Sequence, residues 1–480
     1  MQKSDFKKIT NWLWEAPKSF RQDMRVPARA YVSEKMLEES LKDKSLEQLI
    51  NVATLPGIIN YGIAMPDMHE GYGFPIGGVA AVDVKSGVIS PGGVGYDINC
   101  GMRLLESDYK EGEIKPYLDK LATEIQKEVP SGLGRGRKVK IDINSINKIL
   151  ERGSQELVEQ GYGEKNDLEN CESQGRLPTA DSSCVSDYAK NRGRDQVGTL
   201  GSGNHFLEIQ KVSEIFDAET ARAFGLFQDQ VVVMIHTGSR GLGHQIATDY
   251  IRIMMQAMPK YGIRLSDPEL AACPIDSPEG KKYFSAMSCG ANYAWANRQM
   301  IAHFVRTAWK RILGGKSASL FSFYDVAHNI AKLEKHKVAG KEMELCLHRK
   351  GATRAFPPEH PEIPAKYKKA GQPVLIPGSM GTASYILAGQ KEGEQAFYST
   401  CHGAGRTMSR HAAARAMSGE EVVKNLESKG IICKCWSLRG IAEEAPQAYK
   451  DVDEVVEVVH NAGLSRKVAR LTPLAVIKGE

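Results

Sequence analysis

The sequence predicts an α+β fold: one large mixed domain over residues 1–480, with β-sheets carrying glycine-rich loops, helices around them and a functional site at the strand ends. Three observations carry this prediction. The 46 glycines gather in dense clusters at 71–78, 92–101, 198–203, 238–243, 378–381 and 403–405. Between the clusters lie short β-rich runs such as Val231–Ile235 and Leu320–Tyr324. Helical periodicity with charged faces occurs around 36–53, 145–160, 244–258, 290–313, 409–428 and 452–463.

One device recurs along the chain. An apolar run ends, a polar residue able to bind a ligand follows, and glycines come next. Val231–Ile235 leads to His236, Thr237 and Gly238; Leu320–Tyr324 leads through Asp325 to His328 and Asn329. Val94–Asp97 leads to Cys100 and Gly101, and Gly201–Asn204 to His205. Strand ends that feed glycine loops are where mixed folds build sites, because bare backbone can approach a ligand closely. No fixed-period repeat or low-complexity linker divides the chain, so these segments are expected to converge.

Composition narrows the function classes. The mean hydropathy of -0.35 and the lack of an 18-residue apolar run argue against a membrane span. The charged start Met1–Lys8 lacks the apolar stretch of a signal peptide, so a soluble cytoplasmic protein is expected. A net charge of +5 permits a nucleic-acid partner without demanding one. Two local basic clusters, Arg135/Arg137/Lys138/Lys140 and Lys190/Arg192/Arg194, read as glycine-containing loops that either contact RNA or are simply solvated. Nine cysteines without a CxxC pair make a disulfide framework unexpected. Cys433 and Cys435 form a CxC that reads as a strand with both thiols on one face, there as buried packing residues.

Of the twelve histidines, His69, His205, His236, His328 and His402 sit beside glycine or small polar residues, whereas His244, His303, His336, His348, His360, His411 and His460 read as lying on helices or charged loops. Asp97 and Cys100 are three residues apart in a tight glycine turn. With His205, His236 and His328 they offer one oxygen, one sulfur and three nitrogen ligands, too many for one tetrahedral zinc and suited to two metals sharing the thiolate. Softness alone points to zinc; the plainer alternative is a cysteine buried in a turn.

Ser399–Arg406 places His402 among glycines, which give a phosphate room, beside Arg406, whose planar fork matches phosphate oxygens. A neutral imidazole there is a competent nucleophile toward a nucleotide α-phosphate. Pro377–Ser384 is a second loop able to hold phosphate or a base edge. Gly315-Lys316-Ser317 lacks the upstream glycine of a Walker A loop, and there is no Lys-x-Asp-Gly and no HExxH. If a nucleotide is carried covalently, its carrier is not the usual lysine.

Several of these segments together are family motifs. They are Met65–Gly78, Gly92–Gly101, Leu200–Phe206, His236–His244, Asp325–Asn329, His348–Ala355, Pro377–Ser384, His402–Arg406 and the closing Lys478-Gly479. On these the chain resembles the RNA-splicing ligase RtcB family over nearly its full length. The resemblance implies a ligase that joins an RNA 3′-phosphate or 2′,3′-cyclic phosphate to a 5′-hydroxyl, in tRNA splicing or RNA repair. It consumes GTP and uses two manganese ions in place of the zinc suggested by softness. It implies that Cys100 bridges the metals, with Asp97 and His205 on one and His236 and His328 on the other. His402 is the residue guanylylated. Asn204, His205, Phe206, Leu207, Glu208, His328, Asn329, Pro377, Gly378, Ser379, Met380, Ser384, His402, Gly403, Ala404, Gly405, Tyr449 and Lys478 line the guanylate pocket. Arg240, Arg406 and Arg410 are candidates for holding RNA phosphates, with surface salt bridges as the alternative. The implied partners are RNA, as tRNA halves or broken ends, GTP, and an activating protein of the archease type.

Two rival readings use the same residues. One is a two-metal phosphoesterase acting on RNA ends without covalent guanylate; the other is a non-catalytic RNA-binding protein that keeps the fold.

Overall fold

The computed structural model describes residues 1–132, 141–314 and 319–479. Two large sheets organise a mixed α+β architecture. The first runs, in spatial order, Lys7–Thr10, Leu13–Ala16, Ala28–Ala30, Ile58–His69, Ile76–Asp83, Lys341–Lys350 and Asn329–Val338. The second runs Phe321–Ala327, Gly101–Lys110, Gln230–Thr237, Phe206–Ile215, Ser465–Lys478, Ser384–Gly389 and Pro373–Ile376; Ile432–Cys435 joins it by parallel pairing with Ser465–Lys478.

The strand Gln230–Thr237 is buried along its whole length, which explains its continuous apolar run in place of alternation. Behind it lies the 36-residue helix Pro278–Leu313. Ser277 caps its start by accepting from the Gly280 N–H, and Pro278 sits in the first turn, where a missing N–H costs nothing. The expected helix at 290–313 is thus the last 24 residues of a longer one. From Ala286 to Ala302 it is buried on every side, while its first turns begin with Pro278 and Gly280, which read as turn residues, so no amphipathic stripe marks the start.

Other expected helices are broken where physics requires. The stretch 145–160 divides into Ile143–Arg152 and Ser154–Glu159 at Gly153, whose φ is +58°. A Cβ there would lie 2.1 Å from the Gly175 carbonyl oxygen. The stretch 36–53 is two helices, Glu34–Ser40 and Ser45–Val52, and 409–428 divides at a capping box on Ser418.

Lys190, Arg192 and Arg194 are not on a loop: they lie in the helix Asp187–Arg194, where Gly193 permits close packing against Leu242. The other basic cluster, Arg135 to Lys140, and Gly315-Lys316-Ser317 lie outside the described residues. His336 and His348 are buried on sheet strands, not on helices or charged loops. Cys433 and Cys435 do lie on a strand, but only half-buried. No helix among the described residues is long and apolar enough to cross a membrane.

Candidate active site

Adjacent strand ends of the second sheet bring the expected ligands together. Cys100 immediately precedes the strand Gly101–Lys110, His205 precedes Phe206–Ile215, His236 is the penultimate residue of Gln230–Thr237, and His328 follows Phe321–Ala327. Register places Met102 opposite His236, His236 opposite Phe206, and Ala327 opposite Gly101. Four positions scattered over 228 residues of sequence therefore meet at one edge.

The donors converge closely. His205 Nε2 is 2.8 Å from Asp97 Oδ2, and Cys100 Sγ is 3.5 Å from His205 Nε2 and 3.3 Å from His236 Nε2. His236 and His328 bring their Nε2 atoms to 3.3 Å. Two ligand triads result, Asp97/Cys100/His205 and Cys100/His236/His328, sharing the thiol. Burial pushes His236 and His328 well below the ordinary imidazole range, so both are neutral and present lone pairs. His236 Nδ1 contacts the Asn204 carbonyl at 3.0 Å, which turns Nε2 inward. Neutral imidazoles, a carboxylate and a thiol aimed at one point fit cations and little else.

The site rests on a buried ionic frame. Arg298, fully buried on the long helix, donates to Asp325 and to the backbone carbonyls of Asn99 and Thr237. It thereby ties the strand ends that carry Cys100, His236 and His328. Asn99 holds a left-handed φ of +51° within the turn, and its N–H donates to the Asn329 carbonyl at 2.6 Å.

His402 follows the short strand Ser399–Cys401 and faces this cluster, with its ring 5.0 Å from that of His328. Its Nδ1 is 2.5 Å from Oδ2 of Asp67, which also accepts the backbone N–H of His402 at 2.8 Å and of Gly403 at 3.2 Å. Asp67 is fully buried. With Nδ1 occupied, Nε2 is the free nitrogen. Glycine is required at two contacts here. A Cβ on Gly405 would meet the Asp67 carbonyl oxygen at 2.2 Å, and one on Gly351 would press to 3.1 Å from His402 Cε1.

A cleft of about 330 Å³ opens over the metal-type cluster and His402. Its wall includes Asn204, Phe206, His328, Asn329, Pro377 to Met380, His402 to Arg406, Arg410, Tyr449 and Lys478. His205, Leu207, Glu208 and Ser384, expected to line the pocket, are not among its lining residues. Glu208 accepts from Gln210 at 2.6 Å, and Gln210 also donates to Ser384, whose hydroxyl accepts from the Gly378 N–H. Burial lifts the Glu208 carboxyl to about 8, while Lys478 is depressed to about 8, also by burial. Arg240 lines a neighbouring hollow with Arg192 and His244, donates to the Gly132 carbonyl, and flanks Gly201 together with His205.

Sequence reasoning missed several residues of the cleft. Asp67 was quoted within Met65–Gly78 but given no role, although a lone carboxylate in an apolar strand is itself a signal. Glu444 is buried and pairs with both Arg406 at 2.7 Å and Arg410 at 3.1 Å. Lys450 donates to the Pro66 and Met68 carbonyls at 3.0 and 2.6 Å, clamping the backbone on either side of Asp67.

Comparison with known proteins identifies the family. A family model described as tRNA-splicing ligase RtcB matches residues 48–479. The chain belongs to the RtcB family. It is 53% identical to the tRNA-splicing ligase RtcB of Thermococcus kodakarensis, with 98% of each chain covered, and equally to that of Archaeoglobus fulgidus over the same shares. The RNA-splicing ligase RtcB of Mycobacterium tuberculosis is 52% identical over 90% of this chain and 100% of its own. RtcB membership thus extends over both sheets and every segment of the cleft.

Proposed function

We propose that the chain acts as one catalytic domain, residues 1–480, in the cytoplasm: a GTP-dependent RNA ligase that joins a 3′-phosphate or 2′,3′-cyclic phosphate end to a 5′-hydroxyl end through a guanylylated His402. The observation that carries this reading is the Asp67–His402 pair, a nucleophile-type imidazole held at Nδ1 by a buried carboxylate and placed beside a metal-type cluster in a nucleotide-sized cleft. Family membership supports the RNA-ligase class.

Asp97, Cys100, His205, His236 and His328 would hold two manganese ions, which supply Lewis-acid charge to the triphosphate and the reacting phosphates. His402 Nε2 attacks the α-phosphorus of GTP; a P–N bond forms, and the bond to pyrophosphate breaks. Asp67 fixes the tautomer and stabilises the positive charge that grows on the ring. The guanylate then passes to an oxygen of the RNA 3′-phosphate, releasing His402. The 5′-hydroxyl attacks that activated phosphorus, forming the phosphodiester and expelling GMP.

Around these steps, Asn204, Phe206, Asn329, Gly378 to Met380, Tyr449 and Lys478 hold the nucleotide. Glu208, as carboxylate, accepts from the N1 and N2 donors of guanine, which adenine lacks. Arg240 and Arg410 face the RNA phosphates. Arg406, tied to Glu444 and lying 4.9 Å over the Tyr449 ring, serves more as a wall of the cleft than as a free phosphate ligand. An archease-type protein would assist turnover, and spliced tRNA halves or broken RNAs would be the substrates.

Incubation with α-labelled GTP and manganese tests the reading. The expected result is a labelled protein band that disappears in His402→Ala. No band in the wild type would leave the two-metal phosphoesterase as the better account.

A further inference from the structure

We propose that Cys433 and Cys435 form a reversible dithiol–disulfide pair that reshapes the nucleotide cleft from its outer side. The inference rests on reading the cleft as a guanine-nucleotide site, and it starts from the one cysteine motif that the catalytic machinery leaves unused.

Both thiols lie on the strand Ile432–Cys435, and both are half-buried. Alternation along the strand puts them on the same face, as the CxC spacing requires. This strand touches its sheet only through Ser465–Lys478, with Cys433 opposite Val476 and Cys435 opposite Lys478. Lys478 lines the cleft and donates to the carbonyls of Gly203 and His205. Met380, a second cleft residue, packs with Val476, Leu426 and Ile431 in a small apolar cluster against which Cys433 and Cys435 also lie. The thiol pair therefore sits one ladder step behind two walls of the pocket.

Reactivity is selective. Cys100, Cys171, Cys273, Cys289, Cys346 and Cys401 are buried, and burial raises all their thiols. Cys435 alone is lowered, to about 7, first by the neighbouring Cys433 thiol. Cys435 is itself only half-buried, so a small oxidant can reach it.

The chemistry is thiol–disulfide exchange with a small disulfide such as oxidised glutathione. The Cys435 thiolate attacks one glutathione sulfur, forming a mixed disulfide and releasing one glutathione thiolate. Cys433, losing its proton, then attacks the Cys435 sulfur and releases the second. Two protein thiols are oxidised, and one disulfide is reduced to two thiols. Residues two apart on an extended strand have Cα atoms about 6.6–6.8 Å apart, at the upper edge of the roughly 4.4–6.8 Å range for disulfides. Closing the bond shortens the strand and pulls it from its pairing with Val476 and Lys478, loosening both cleft walls.

The test uses the full-length, manganese-treated protein in glutathione buffers of graded ratio. The state of the Cys433–Cys435 peptide is read by mass spectrometry, and GMP affinity by calorimetry. Oxidation is expected to remove two hydrogens from that peptide and to weaken GMP binding about tenfold, within the usual range of coupling between sites, with recovery in dithiothreitol. Cys435→Ser, and Cys433→Ser should the first variant fold poorly, keeps its affinity in every buffer. A peptide that stays dithiol, an oxidised protein with unchanged affinity, or a serine variant as oxidant-sensitive as the wild type would each overturn the proposal. Absence of GMP binding by the reduced protein would instead refute the nucleotide reading, and the coupling with it, while the mass measurement judges the thiol pair separately.

Discussion

Asp67 Oδ2 accepts three hydrogen bonds from the His402–Gly403 turn, one from the imidazole Nδ1 and two from the backbone. One buried oxygen therefore sets both the tautomer of the ring and the path of the loop that carries it. Asp67→Asn cannot accept the Nδ1 proton in the same way. It is expected to slow His402 guanylylation by about a hundredfold or more, in the range of positioned acid–base groups. Single-turnover labelling with GTP checks this. Lys450→Met, which releases the backbone around Asp67 while leaving the carboxylate, is expected to reproduce a milder form of the same defect. Unchanged labelling in Asp67→Asn would remove the pair from the mechanism.

A second prediction concerns the shared thiol. Cys100 belongs to both ligand triads, so Cys100→Ala weakens both, whereas His205→Ala leaves the triad of Cys100, His236 and His328 intact. Manganese at a hundred times its dissociation constant stabilises a one-site protein by about 2.7 kcal/mol. The wild type should therefore gain several degrees in melting temperature on manganese addition and lose them with chelator. Cys100→Ala should show almost no gain, and His205→Ala a partial one. Equal gains in all three proteins would show that manganese binds elsewhere.

Much of this site was legible in the sequence because its ligands sit in short motifs, each a glycine turn with one polar residue at a strand end. Asp97, Cys100, His205, His236 and His328 could be grouped by chemistry before any distance was known, and the converging sheet edge brings them together. Asp67 could not be given its role, since its partner His402 lies 335 positions away and nothing local pairs them. The same holds for Lys450 and the strand that it clamps. Helix edges were misplaced where a buried glycine or a cap overrides periodicity, as at Gly153 and Ser418. The first twelve residues of Pro278–Leu313 were missed because Pro278 and Gly280 read as turn residues, and the run Ala286–Ala302 that follows is buried on every side and shows no polar face.

Glu208 supplies a pH prediction. Burial raises its carboxyl to about 8, so in the free protein it carries a proton at pH 7. Accepting from the N1 and N2 donors of guanine needs the carboxylate, and binding must then expel that proton. Affinity for GMP should rise by up to about tenfold per pH unit up to about 8, then fall as Lys478 in turn loses its proton. Glu208→Gln removes this titration, and its affinity should be low and nearly flat across the same window. Calorimetry from pH 7 to 8 in buffers of different ionisation enthalpy would count the released protons. A wild-type profile as flat as that of the glutamine variant would exclude Glu208 from guanine recognition.

Lys478 yields the final prediction. Chain ends usually fray, yet Lys478 is buried, ends a fourteen-residue strand, and donates 2.5 and 2.9 Å hydrogen bonds to the Gly203 and His205 carbonyls. Its ammonium thus fixes the backbone on both sides of Asn204 and leaves its charge facing the cleft. Burial depresses it to about 8, so at pH 7 most molecules keep the proton that a phosphate or guanine oxygen would meet. Lys478→Met should weaken GTP binding about tenfold, as loss of a charge-assisted contact does, and should misplace His205. Deleting residues 478–480 should do the same with little change in melting temperature, because the strand remains paired along the rest of its length. Full GTP affinity in the truncated protein would show that Lys478 only fastens the strand end.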